Sequence, residues 1–341
     1  MNISKRTLLI LAIAVATGLY GLSQQTEKKS VNQAELPTQS EPLNFRLKWL
    51  IYSSFGHHFV ALEKGYFDKE KVKPEIRAGG AGLDPIKLVA SGEDDVGLAS
   101  YGQILMACEK GIPVVAIAQE NISSGVVFIS LQQSGITAPE QFVGKKVGII
   151  PGSDTGSVYA AVMGKLKIDR SKIDEVPISF SVDPLINGAV DVSTAAFSTN
   201  QPLVVESKGF PVNIIDPKDY GVSVGGNVYF TRPELLKSKP ELLRRFLRAD
   251  LKGIVDSHSM PNAEVVDMVL KHNSLLDKTA ELRIWDATKK TLLPTTGENI
   301  GVMPRETWEQ TKQVFADSGL VGKNLDFSKC YTNELVANIL K

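Results

Sequence analysis

The segment LKWLIYSSFGHHFVALEKGYF, from Leu47 to Phe67, changes its apolar period halfway along. Leu47 to Ile51 is apolar enough for a buried strand. Ser53, Ser54 and Gly56 read as a turn. Phe55, Phe59, Val60 and Leu62 then recur at helical spacing up to Gly65, a helix stop. A strand, polar turn and helix follow one another, and in an open α/β sheet such a turn lies where ligands bind. Trp49, Tyr52 and Phe55 supply ring surface there, and His57 and His58 supply hydrogen-bonding groups, as a small-molecule pocket needs. Core filling by the same rings stays open at this point.

The alternation continues. Lys73 to Arg77 predicts a strand, and Gly79, Gly80 and Gly82 a loop. Asp84 caps a helix with Pro85 at its first position, and Gly92 ends it. Val96 to Ala99 is a strand, Ser100-Tyr101-Gly102 a turn, Ile104 to Lys110 a helix, and Pro113 to Ala118 the next strand. Val126 to Leu131 is another. Val147 to Ile150 leads through PGSDTGS into a helix from about Gly156. Ser153, Asp154 and Thr155 sit at that helix start, where they either bind an anionic or polar group or simply cap the helix. The βαβα order predicts a parallel sheet with helices on both faces.

A repeat organises the whole. DPLINGAVDVSTAAFSTNQP, Asp183 to Pro202, echoes DPIKLVASGEDDVGLASYGQ, Asp84 to Gln103. Both begin Asp-Pro, and Gly188 and Asp191 match Gly92 and Asp95. Each copy runs into a small-residue strand and a polar turn, so two similar α/β lobes are expected. Pro211 to Ile215 is a strand of the second, and GGNVYFTRPEL, from Gly225, a strand crossing back. Amphipathic helices follow at Pro240–His258, Ala263–His272, Lys278–Lys290 and Pro304–Ser318.

Composition narrows the function classes. The 341 residues carry 38 Lys plus Arg and 38 Asp plus Glu, so no basic excess points to nucleic acid. Cys108 and Cys330 show no metal-ligand spacing and no disulfide framework, and Cys108 reads as a small buried hydrophobe. Lys5 and Arg6 precede an uncharged run from Thr7 to Leu22, the pattern of a secretory leader over 1–23 or of an uncleaved anchor. No cysteine follows the run, which argues against a lipid anchor. Residues 24–42 are polar and aperiodic and read as a flexible linker. His57 and His58 have no nucleophile partner and no metal-ligand spacing, and as an adjacent pair read as polar helix-start residues. Neither catalytic residues nor a metal nor a cofactor is expected.

From about Asn44 to its end the chain resembles periplasmic solute-binding proteins of ABC importers. The group is the NMT1/THI5-like one, with binders of thiamine-pyrimidine precursors and of sulfonates, nitrate and taurine. The residues that carry the resemblance are KWL…F…VALEKGYF at 48–67, DPIKLVASGEDDVGLAS at 84–100, GIPVVAIA at 111–118, PVNIIDPKDYG at 211–221 and YTNEL at 331–335. It implies a two-lobed α/β fold of the type II kind, with lobe one at 43–122 plus 233–341, lobe two at 123–232 and ligand in the cleft. Lys48 stands where the pyrimidine binders have Asn before the stacking Trp. Gln201 replaces their Glu, so an aminopyrimidine loses its carboxylate acceptor. A pyrimidine synthase shares the fold and YTNE, but it uses a cysteine cluster, a Lys and a His. Residues 226–230 here lack cysteine, and Ala99 and Gln103 stand at the other two positions.

The expected function is capture of a small planar heteroaromatic solute, vitamin-precursor-like, and its delivery to a membrane permease. The expected protein is a periplasmic monomer. A small anion such as a sulfonate, taurine or nitrate is the alternative solute. The expected contacts are Trp49, Phe55, His57, Ser100, Tyr101, Ser153, Asp154, Thr155, Phe197, Asn200, Gln201 and Asn227. Trp49 would stack on the ligand, and Lys48 would pair with an anionic group.

Overall fold

The computed structural model describes residues 36–80, 82–293 and 299–341. The expected leader and most of the expected linker lie outside these residues. Residues Thr38–Lys341 form one compact unit. No helix among the described residues is long and apolar enough to cross a membrane.

One sheet contains β1 (Glu41–Arg46), β2 (Val72–Arg77), β3 (Val96–Ser100), β4 (Val115–Gln119) and β10 (Asn227–Thr231), in the order β2-β1-β3-β10-β4. The other contains β5 (Val126–Leu131), β6 (Lys146–Ile149), β7 (Asp174–Pro177), β8 (Val192–Phe197) and β9 (Val212–Ile215), in the order β7-β6-β8-β5-β9. The two orders correspond strand for strand. β1 runs parallel to β2 and β3, and β6 parallel to β7 and β8. β10 and β5 are antiparallel to their neighbours. The sheets are therefore mixed, not purely parallel as expected. The inserted strand of each enters straight from the other lobe, so it runs against the strands built by βα units.

The repeated Gly-x-x-Asp has a structural cause in both lobes. Gly92 and Gly188 end their helices at φ of 85° and 71°, which only glycine adopts without strain. Three residues on, Asp95 donates its N–H to the Asn44 carbonyl at 2.9 Å and accepts from the Asn44 N–H at 3.0 Å. Asp191 does the same with Lys146, at 2.8 and 2.9 Å. Each aspartate thus fixes the register of the third strand against the first.

Several expected elements shift. The first strand is Glu41–Arg46, so Glu41 and Pro42 leave the linker, and Leu47–Ile51 is a bent loop. Leu43, Phe45 and Leu47 point alternately into the core. Beyond them the chain turns so that Lys48 and Trp49 face the cleft. Gly79 makes this possible: its N–H donates to the Trp49 carbonyl at 2.9 Å, and a Cβ there would lie 2.4 Å from the Leu47 carbonyl oxygen. Gly79→Ala is expected to cost about 1–3 kcal/mol through that overlap, read as a lower urea midpoint at unchanged slope. An unchanged midpoint would show that the loop is free to yield.

Ser100-Tyr101-Gly102 is not a loop. Ser100 caps the helix Tyr101–Glu109 reciprocally with Gln103, its Oγ accepting at 3.2 Å and its N–H donating at 3.0 Å. β10 hydrogen-bonds within the first sheet, so the second crossing precedes Asn227 instead of ending at 232. The crossings, 120–125 and 216–226, meet at an antiparallel bridge between Ser123 and Gly225. Helix Arg305–Asp317 packs on helix Tyr101–Glu109 of one lobe and on helix Asp154–Leu166 of the other. Cys108 and Cys330 form a disulfide with Cα atoms 6.0 Å apart, a pairing that their spacing along the sequence did not show and that replaces the reading of Cys108 as merely a small buried hydrophobe. The tail beyond Cys330 lies along β4, where Thr332 donates to the Ala116 carbonyl at 2.9 Å.

Candidate functional site

A cavity of about 550 Å³ lies between the two sheets, at the crossings. The bent loop after β1 contributes Lys48, Trp49, Tyr52 and Phe55. The start of helix Asp154–Leu166 contributes Ser153 and Asp154. The end of β8 contributes Phe197, the helix after it Gln201, the first crossing Glu120 and Asn121, and the start of β10 Asn227. Apart from Asn227, which opens β10, these lie at or just beyond strand ends, so one strand-to-helix geometry in each lobe builds most of the site.

The apolar part is a stack of rings. Trp49 meets Phe180 edge-on with centroids 4.6 Å apart, and Phe180 stacks on Phe197 at 5.7 Å. Trp49 comes from one lobe and the two phenylalanines from the other. Tyr52 packs edge-on against Phe55 at 5.4 Å. Burial raises the Tyr52 hydroxyl above its usual range, offset in part by the nearby polar groups of Ser54 and Asn200. The loop is held from below by Glu281, whose carboxylate accepts from the Ser53 N–H at 2.6 Å.

The polar part is a continuous chain of charges. Ser100 Oγ donates to Asp154 Oδ1 at 2.6 Å. Asp154 Oδ2 accepts from Lys48 Nζ at 2.8 Å, and Lys48 also donates to Asn227 Oδ1 at 3.1 Å. Asn227 Nδ2 donates to Glu120 Oε2 at 2.8 Å. Glu120 Oε1 meets His58 Nε2 at 3.1 Å, and His58 Nδ1 meets Asp250 Oδ2 at 2.7 Å. Burial alone would lower the His58 pKa, but attraction and hydrogen bonding from Asp250, and then Glu120, push it up to about 9. Burial would raise Glu120, yet the two histidines hold its carboxyl well below the usual range. His57 is driven the other way, lowered chiefly by burial and then by the charge on His58.

Trp49, Phe55, Ser153, Asp154, Phe197, Gln201 and Asn227 thus line the cavity. The other expected contacts do not. Tyr101 is fully buried and packs on Trp308 at 4.4 Å, because helix Arg305–Asp317 covers it. Ser100 stands behind Asp154, Thr155 is buried, and Asn200 is not among the residues that line the cavity. His57 and His58 do stand at the start of a helix, Gly56–Glu63, but both are wholly buried. Lys48 is already paired with Asp154, so it offers no free charge to an anion. Ser153 accepts from the Gly156 N–H at 3.1 Å, the capping alternative.

Glu120, Asp250 and Phe180 were missed. Glu120 ends an apolar strand, PVVAIAQE, and Asp250 falls on the apolar face of Pro240–Ser259. An acidic residue at a core position was the available signal.

The fold is that of two-lobed periplasmic binding proteins. The aliphatic sulphonate binding protein SsuA from Escherichia coli superposes with a TM-score of 0.68 at 16% identity, over 86% of this chain and 92% of that one. Residues 53–264 match the NMT1/THI5-like family, and the chain belongs to it. The formylaminopyrimidine-binding protein of Halalkalibacterium halodurans is 26% identical over 69% of this chain and 70% of its own length. The riboflavin-binding protein RibY of Chloroflexus aurantiacus is 22% identical over 98% of both chains. A 4-amino-5-hydroxymethyl-2-methylpyrimidine phosphate synthase from Legionella pneumophila is 24% identical over 85% of this chain and 90% of its own.

Proposed function

We propose that this chain is the extracytoplasmic solute-binding component of an ABC importer, and that it captures a small planar heteroaromatic molecule. The carrying observation is the ring stack of Trp49, Phe180 and Phe197, which spans the two lobes around a cavity of about 550 Å³. Rings of this kind add ~0.5–1.5 kcal/mol per aromatic contact beyond area burial. Neutral groups at Asn121, Gln201 and Asn227 would read the polar edge of the solute. Engagement of Lys48 by Asp154 counts against a small anion as the main ligand. The disulfide agrees with an oxidising compartment outside the cytoplasm.

The synthase reading is weaker. Residues 226–230 hold no cysteine, and Ala99 and Gln103 offer neither the amine nor the imidazole expected of that chemistry. Solute binding would draw the lobes together about the two crossings, the motion a permease would recognise.

Native mass spectrometry of the purified chain, followed by calorimetry with riboflavin, a pyrimidine and taurine, tests the reading. A planar ring compound should bind and leave unchanged. Trp49→Ala should then weaken it at least tenfold, about 1.4 kcal/mol. Binding of taurine alone, undisturbed by Trp49→Ala, would overturn the heteroaromatic assignment.

A further inference from the structure

Three ligand atoms converge at the floor of the cleft. His57, His58 and Glu120 each offer one donor atom, and these three atoms lie within 4.8 Å of one another. His57 Nε2 and His58 Nε2 stand 3.2 and 3.1 Å from Glu120 Oε1. Two imidazoles and a carboxylate form a donor set suited to zinc and similar divalent metals. Tetrahedral bonds of ~2.1 Å would put such donors roughly 3.4 Å apart, near what is seen.

Two further observations point to a ligand. His57 is sealed from solvent, yet neither of its ring nitrogens has a hydrogen-bond partner. Its Nε2 is near Glu120 but off the line a hydrogen bond needs. A bridge from Asp250 through His58 to Glu120 accounts for His58 and leaves His57 unexplained. Asp250 in turn holds His58 by Nδ1, which leaves Nε2 facing Glu120. That is how a carboxylate orients a metal-bound imidazole.

We propose that His57, His58 and Glu120 hold a divalent transition-metal cation, with zinc the best match, and that Asp250 is a positioning residue for it. Three protein ligands leave a place for water or for a donor atom of the solute. Glu120 is the ligand that lines the cavity, so the cation would be reached from the cleft. The proposal does not depend on which solute the cleft takes.

The test uses the full chain, stripped with a chelator and titrated with zinc chloride by calorimetry. Metal content is measured by mass spectrometry and ligands by X-ray absorption. One zinc per chain is expected, with two imidazoles among its ligands. His57→Gln and Glu120→Gln should each weaken binding at least tenfold, and Asp250→Asn by 10–100-fold. His272→Gln, at a partly exposed histidine paired with Glu63, should leave it unchanged. Absence of stoichiometric zinc, or zinc held equally by His57→Gln and Glu120→Gln, would overturn the proposal. Should those variants fail to fold, an absorption spectrum of the unmodified chain with fewer than two imidazoles would overturn it as well.

Discussion

Reduction of the Cys108–Cys330 disulfide is expected to lower the unfolding free energy by about 2–4 kcal/mol. The bond closes a loop across 222 residues. For that span the chain-entropy relation gives about 5 kcal/mol at 25 °C, an upper figure because denatured chains keep residual structure. The folded tail has backbone contacts that do not depend on the disulfide. The tail still donates from Thr332 to Ala116, and Ala116 donates to the Cys330 carbonyl, both at 2.9 Å. The loss therefore falls mainly on the unfolded chain, which becomes freer. Denaturation with and without reductant, beside Cys108→Ser and the double serine variant, measures it. The two variants should coincide with each other and with the reduced protein. Two titratable thiols in the untreated native chain would end the argument.

Loss of Asp250 is the second large effect. Asp250→Ala should destabilise the chain by about 3–5 kcal/mol, because it leaves His58 buried beside a single carboxylate. The histidine and both carboxylates are almost wholly out of contact with water, so solvent does not screen the change. Asp250→Asn keeps a hydrogen-bond partner for Nδ1 and should cost less. Surface pairs set the contrast: Arg305→Ala, which removes the Glu309 partner on an exposed helix, should change stability by less than about 0.5 kcal/mol. Chemical denaturation of the three variants orders them. Equal losses for Asp250→Ala and Arg305→Ala would show that the buried cluster is hydrated.

The repeat and its caps were legible in the sequence because their causes are local. A helix-ending glycine and a strand-pinning aspartate act within a few residues, and the same spacing recurs in both lobes. Trp49 was legible as a cavity-lining ring because aromatic residues cluster about the polar turn at 53–56, although the residue itself was placed inside the expected strand. The strand itself was misplaced: buried Leu43, Phe45 and Leu47 alternate with half-buried or charged neighbours, whereas the apolar KWLI that follows is a loop. What could not be read was set by distant partners. Glu120 meets His58 across 62 residues, Asp250 across 192, and Cys330 reaches Cys108 across 222. Tyr101 was expected in the cleft because nothing near it shows that Trp308 covers its face.

The Lys48–Asp154 contact has an energetic consequence. It is the point where the loop after β1 grips the helix of the opposite lobe. Taking these two charges out of water costs nearly as much as their attraction returns. Separation of the lobes would rehydrate both, so this contact by itself does little to favour the joined arrangement over a separated one. A captured solute then needs only a modest preference for one of them. A preference of 1.4 kcal/mol already multiplies the population ratio tenfold. For the solute carrier proposed above, a closing contact of so little net worth would let a cargo that tips the balance gently also leave readily.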